Sequence, residues 1–250
     1  MHAVPVKATD LVIAFGNTEA LASSSFEIPA GEIIAVIGPN GSGKSTLLDA
    51  IAGLITPKSG TLEVAARPGR IAYVLQYTKV NDALPITARE VVSMGRYSSA
   101  GWLGRFGEED RKAIESAMDR AGVLDYSGRQ LHELSAGERQ RVYVAQGLAQ
   151  DHDLLLLDEP LTGIDLPTAQ AIDQLIHEET QRGCTVILTT HDLAEARAAD
   201  FVLLLAGRVV ASGVPNEVLT KDSLRTAYGS VLVHADDESR IFDDPAHHEH

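Results

Sequence analysis

Residues 38–46 read GPNGSGKST and fit the pattern G-x-x-x-x-G-K-[ST] through Gly38, Gly43, Lys44 and Ser45. That pattern suits the cradling of nucleotide phosphates. Backbone N–H groups must turn inward around phosphate oxygens, and a Cβ would obstruct several of those positions. The run Gly38, Pro39, Asn40, Gly41, Ser42, Gly43, Lys44, Ser45, Thr46 is therefore the candidate nucleotide-phosphate-binding loop. Lys44 would neutralise β/γ-phosphate charge, and the Ser45 hydroxyl would ligate Mg²⁺. The apolar stretch before the loop and the helical stretch after it, TLLDAIAGL, supply a strand and a helix N-terminus, whose dipole favours anions.

A second group of chemistry-bearing residues closes the apolar run LLLLDEP at 154–160. A buried strand ending in two acids beside the loop would give Mg²⁺ a carboxylate from Asp158. Glu159, pointing the other way along the strand, would act as general base on an attacking water. The run VILTTHDLAEA at 186–196 ends its apolar part at His191, placed to hydrogen-bond the γ-phosphate and orient Glu159. Gln76, at the end of IAYVLQ, is placed to approach Mg²⁺ and the water.

The stretch LSAGERQR at 134–141 reads as a helix start. Ser135 with Glu138 three residues on is a capping box. The same exposed N–H groups and dipole would serve a phosphate. The spacing predicts that the Glu138 carboxylate folds back to the Ser135 backbone N–H, away from any nucleotide.

The positioning elements follow from pattern. Residues 6–15, 21–28 and 61–65 look like strands, and 32–37 like a buried strand fed by a hairpin. RPGR at 67–70 is a turn before another strand. From Thr87 the period turns helical, opening on a second capping box with Glu90. GWLGRFG is a Gly-rich connector, and EEDRKAIESAMDRAGV and residues 135–150 read as helices. Strand and helix then alternate, with strands at 154–158, 185–190 and 201–206 and helices at 166–182 and 192–199. That is an α/β pattern with a mostly parallel sheet, interrupted by a helical block. Short helices follow Gly213.

Composition limits the alternatives. The chain has 250 residues, 44% of them hydrophobic, and a formal net charge of -14. The last fifteen, DDESRIFDDPAHHEH, hold six acids against one Arg. An acidic chain argues against general nucleic-acid binding. The single cysteine, Cys184, excludes an internal disulfide and reads as a small buried hydrophobe. No apolar run approaches the ~20 residues of a membrane span, and the start MHAVPVKATD lacks a signal-peptide pattern. The expectation is an intracellular protein whose membrane role, if any, needs a partner.

Taken together, the loop at 38–46, Gln76, LSAGE at 134–138, LLLLDEP at 154–160, LTGID at 161–165 and His191 resemble the ATPase subunits of ABC transporters, in that family's order, over about residues 5–220. The resemblance implies a P-loop NTPase (RecA-like) α/β core with an N-terminal antiparallel β subdomain and an inserted α-helical subdomain. Its extent would be a single domain over 1–235, with core about 5–77 and 151–220 and helical subdomain about 78–150; residues 236–250 would be an acidic tail. It also implies a homodimer with two ATPs sandwiched head to tail. Ser135, Ala136, Gly137, Glu138 and Asp165 would then contact the partner's ATP. Phe15 takes the place of the aromatic that stacks on adenine. The helical part would dock on an integral-membrane permease near Gln76, at the cytoplasmic face of the membrane. The family's common LSGGQ is LSAGE here, with Ala136 for the first Gly and Glu138 for Gln.

LPITAREVVSMGRYSSAGWLGRF and DEPLTGIDLPTAQAI resemble the metal-uptake branch, whose permeases import manganese, zinc or ferrous iron with an extracytoplasmic solute-binding protein. The alternative is the same engine for iron-siderophore, haem or cobalamin import; a non-transport ATPase would bring a long coiled-coil insertion or a second cassette, and neither is present. His247, His248 and His250 with Glu249 offer metal ligands, but on a flexible acidic end they form no preformed site.

Overall fold

The computed structural model describes residues 5–16, 18–75, 85–97 and 106–229. Gln76, much of the Gly-rich connector, and the acidic end with His247, His248, Glu249 and His250 lie outside the described residues.

Strand β1 (Val6–Phe15) turns back into β2 (Thr18–Ile28), and the chain then enters β3 (Ile33–Ile37), the phosphate-type loop and helix α1 (Lys44–Ile51). Strand β4 (Ser59–Val64) returns to the other edge of β1, giving an antiparallel sheet of order β2-β1-β4. Period-two alternation puts Val6, Ala8, Leu11 and Ile13 inside. The register slips between Ala8 and Leu11, where Asp10 has a φ of 48°. This bulge explains why the buried positions change phase there.

The central sheet adds β5 (Ile71–Val74), β6 (Leu154–Leu157), β7 (Thr185–Thr190), β8 (Phe201–Leu205) and β9 (Val209–Gly213) in the order β5-β6-β7-β3-β8-β9. All neighbours are parallel except β8 and β9. β3 and β6 are uninterrupted apolar runs because the sheet is covered on both faces. Ile33, Ala35 and Ile37 join one core with Leu155 and Leu157; Ile34 and Val36 join the other with Leu154 and Leu156. Each fully buried leucine contributes about 2 kcal/mol by area. The antiparallel β9 is not anticipated by the sequence reading, since VVASG has neither a strict alternation nor a continuous apolar run.

Between β5 and β6 the chain forms α2 (Ala88–Met94), α3 (Glu108–Arg120) and α4 (Ala136–Ala149). The remaining helices are α5 (Leu166–Gln181), α6 (Leu193–Ala198), α7 (Pro215–Val218) and α8 (Lys221–Tyr228). α4 lies close against β5: a Cβ on Gly147 would come within 2.7 Å of Val74 Cγ2. Buried Arg96 ties the helical part to the core end of α4, pairing with Asp110 at 2.9 Å and Asp151 at 3.1 Å.

Candidate active site

The loop after β3 is built by close approach. A Cβ on Gly38 would sit 2.2 Å from the Leu205 carbonyl oxygen, and Gly43, at φ 96°, leaves 2.6 Å to the Ala20 oxygen. Both positions therefore exclude any side chain. Lys44 is buried, and its Nζ donates to the Gly38 oxygen at 2.8 Å and the Pro39 oxygen at 3.3 Å. Burial lowers its pKa, partly offset by the nearby Glu159 and Asp158 carboxylates. Asn40, Gly41, Ser42, Gly43, Lys44, Ser45, Thr46, Ala20 and Glu159 line a cleft of about 260 Å³.

Two further observations suit an anionic occupant. α1 has no side-chain cap on its first-turn amides, whereas α4 and α5 are capped by Ser135 and Asp165. The buried Ser42 Oγ has no hydrogen-bond partner among the described residues, a state that a phosphate oxygen would relieve.

The acids arrive differently from the expectation. β6 ends at Leu157, so strand alternation does not separate Asp158 from Glu159. A left-handed turn does so instead, since Glu159 has a φ of 46°. Asp158 is buried and Glu159 partly exposed. β7 also lies between β6 and β3, so the acids and the loop sit one strand apart at the same sheet edge. From β7, Thr189 Oγ1 donates to Asp158 Oδ1 at 2.5 Å and accepts from the Glu159 N–H at 2.8 Å. His191, just past β7, brings Nδ1 to 3.8 Å from Glu159 Oε2. Thr190 Oγ1 donates to Glu195 Oε2 at 2.6 Å and accepts from the Asp192 N–H at 2.9 Å, fixing the turn that carries His191. Burial raises the Glu195 carboxyl, and the nearby Asp192 adds to the rise against the opposing Thr190 bond.

The LSAGE segment is a capping box in full. The Ser135 N–H donates to Glu138 Oε2 at 2.8 Å, and the Glu138 N–H donates to Ser135 Oγ at 3.2 Å. The Ser135 backbone N–H, and after it the Ser135 hydroxyl, hold the Glu138 carboxyl below the usual carboxylate range. Ala136 begins α4, and Gly137 follows against the start of α5. A Cβ there would lie 2.9 Å from Thr168 Oγ1 and 3.3 Å from Asp165 Oδ2. Asp165 in turn accepts from the Thr168 N–H at 2.8 Å.

A family model described as ABC transporter matches residues 21–162, a span that holds the loop, the capped LSAGE start and both acids. The chain belongs to the ABC transporter family. It is 41% identical to the zinc transport system ATP-binding protein TroB of Treponema pallidum, over 91% of this chain and 88% of that one. It is 36% identical to the manganese transport system ATP-binding protein MntB of Bacillus subtilis, over 94% and 96%. Among solved structures it superposes on a metal-chelate-type ABC transporter in an inward-facing conformation with a TM-score of 0.80, at 28% identity over 91% of this chain and 89% of that one.

An ABC ATPase domain binds and hydrolyses ATP and works with membrane permease subunits. No helix among the described residues is long and apolar enough to cross a membrane. The β1–β2 hairpin reaches the loop through Ala20. Phe15 stands at the end of the same hairpin, 56% exposed, with its ring open to a ligand. Gln76 lies outside the described residues, so its expected place is not described. Sequence reasoning missed Thr189 and Thr190; their signal is two hydroxyls ending a strand whose earlier members Val186, Ile187 and Leu188 are all buried and apolar.

Proposed function

We propose that this chain is the ATP-hydrolysing subunit of an importer for a transition-metal ion, working as a homodimer on permease subunits at the cytoplasmic face of the membrane. The observation that carries the metal reading is near full-length similarity, above one-third identity, to ATP-binding subunits of zinc and manganese transport systems. An extracytoplasmic solute-binding protein would deliver the cargo. The ATPase itself never touches the ion.

The site supports the following roles. The loop amides and Lys44 hold the phosphates, with Phe15 against the adenine. Ser45 and Asp158, with Gln76, offer the hard oxygen donors Mg²⁺ requires, and the buried Asp158 carboxylate pairs with no lysine or arginine among the described residues. Mg²⁺, when bound, supplies charge neutralisation on the β/γ-phosphates. Glu159 takes the proton of the attacking water, and His191 orients Glu159 and meets the γ-phosphate. Ser135, Ala136, Gly137, Glu138 and Asp165 form the face toward the partner's ATP.

The test is ATPase activity of the complex reconstituted with its permease. Binding protein loaded with Mn²⁺, Zn²⁺ or Fe²⁺ should stimulate turnover over metal-free binding protein. Stimulation by a siderophore, haem or cobalamin and not by any free metal ion would overturn the cargo reading.

A further inference from the structure

Thr189 is fully buried on β7, the strand between the one that feeds the acids and the one that feeds the loop. Its hydroxyl makes two short bonds with opposite roles. It donates to Asp158 Oδ1 at 2.5 Å, and it accepts from the Glu159 N–H at 2.8 Å. A hydroxyl has one proton to give, so the donor bond selects one carboxylate oxygen. Among the described residues Asp158 Oδ2 has no hydrogen-bond partner. The acceptor bond secures a backbone that ordinary residues avoid: Glu159 stands at φ 46°, in the left-handed region that a Cβ disfavours.

We propose that Thr189 is a positioning residue for ATP hydrolysis: its single hydroxyl reserves one oxygen of Asp158 for Mg²⁺ and holds Glu159 in the turn that sends the two acids apart. The inference rests on the site roles given above. A neutral hydroxyl suits this task better than an arginine or lysine. It orients the buried carboxylate and leaves its charge available to a cation. Valine has nearly the same shape without the hydroxyl, so it would strip Asp158 of its donor and Glu159 of its acceptor while keeping the packing.

The experiment measures ATP affinity by calorimetry with Mg²⁺ and with EDTA, beside steady-state turnover, for the full chain. Wild type should bind ATP more tightly with Mg²⁺. Thr189→Val should lose about tenfold or more of that Mg²⁺-dependent gain, keep its affinity in EDTA within about twofold, and fall about 10–100-fold in kcat. Thr189→Ser should restore both quantities. Thr189→Ala, read in the same way, serves if the valine chain does not fold. A Thr189→Val chain with an undiminished Mg²⁺ gain and near-normal kcat would overturn the inference. So would a serine chain as impaired as the valine one, since only the methyl would then matter. If wild type itself shows no Mg²⁺-dependent gain, the underlying site roles fail instead.

Discussion

Asp153 at the start of β6 and Asp158 just past its end are both buried, 1% and 5% exposed, and have opposite surroundings. Asp153 is held by two arginines, with Arg67 Nη2 at 2.7 Å and Arg70 Nη2 at 2.9 Å. Beside it, Glu179 is gripped by Arg120 at 2.6 Å and Arg182 at 3.4 Å, and faces His152 Nε2 at 3.1 Å. His152 Nδ1 lies 2.7 Å from the Gln150 carbonyl. Cys184 lies in the same pocket, its thiol pushed up to about 12 by burial and by Glu179. The Asp158 carboxylate accepts a side-chain hydrogen bond only from the Thr189 hydroxyl among the described residues, with Lys44 acting on it through its field. The strand thus separates two uses of a buried carboxylate. At one end its charge is neutralised within the fold. At the other it is kept in place with no direct ion pair among the described residues, only the field of nearby Lys44, which leaves it able to take a cation.

That contrast predicts that substitutions at the two ends fail in different assays. The largest effect belongs to the sheet edge with the acids. Glu159→Gln should lower turnover about 10²–10⁴-fold, the range for a removed general base, while ATP still binds and the dimer accumulates. Asp158→Asn should lose turnover comparably with little loss of melting temperature, because Asp158 forms no direct ion pair among the described residues and buried Lys44 keeps the field of Glu159 and its bonds to the Gly38 and Pro39 oxygens. A large melting loss would erase the distinction.

At the other end, Asp153→Asn should cost about 2–3 kcal/mol of unfolding free energy. The figure sits at or just below the bottom of the range for a fully buried pair because the Arg67 side chain is 62% exposed and its charge is screened by solvent. Turnover per folded molecule should stay within about twofold.

A smaller effect is read by acid titration. Burial would raise the Glu179 carboxyl, but His152 and Arg120 outweigh it, and its pKa falls below the ordinary 4.5. A carboxyl lowered on folding stabilises above its unfolded value and loses that contribution as pH falls through the folded one. Stability should therefore decline below about pH 4.5. In Glu179→Gln that part of the slope should vanish, and an unchanged slope would place the acid sensitivity elsewhere.

The smallest effect is at the helix cap. Glu138→Gln should change stability by no more than about 1 kcal/mol, since an amide can accept the same bond. ATP-driven dimerisation by light scattering should hold or rise. A sharp fall in activity would give the carboxylate a task beyond capping.

Much of this was legible in the residues. Phosphate-loop spacing, the capping box at Ser135 and Glu138, and the apolar runs at 32–37 and 154–157 are local signals, and local backbone geometry follows from them. The left-handed turn at Glu159 was not legible, because its type gives no hint of a positive φ; the turn is held by a neighbouring strand far away in sequence. The arginine pairs on Asp153 and Glu179 were equally hidden. Apart from the local Arg182–Glu179 pair, they join distant residues, Arg70 with Asp153 across 83 positions and Arg120 with Glu179, which only the sheet order and the packing of α3 on the core bring together. Strand β9 took its place from pairing with β8, not from its own pattern.

Gly137 lets α4 begin flush against the start of α5, and α5 begins only seven residues after Glu159. The seam between the two helix starts is thus only a hydrogen atom wide: a methyl group at position 137 would have to push back Thr168 Oγ1 and disturb the first turn of α5 that Asp165 caps.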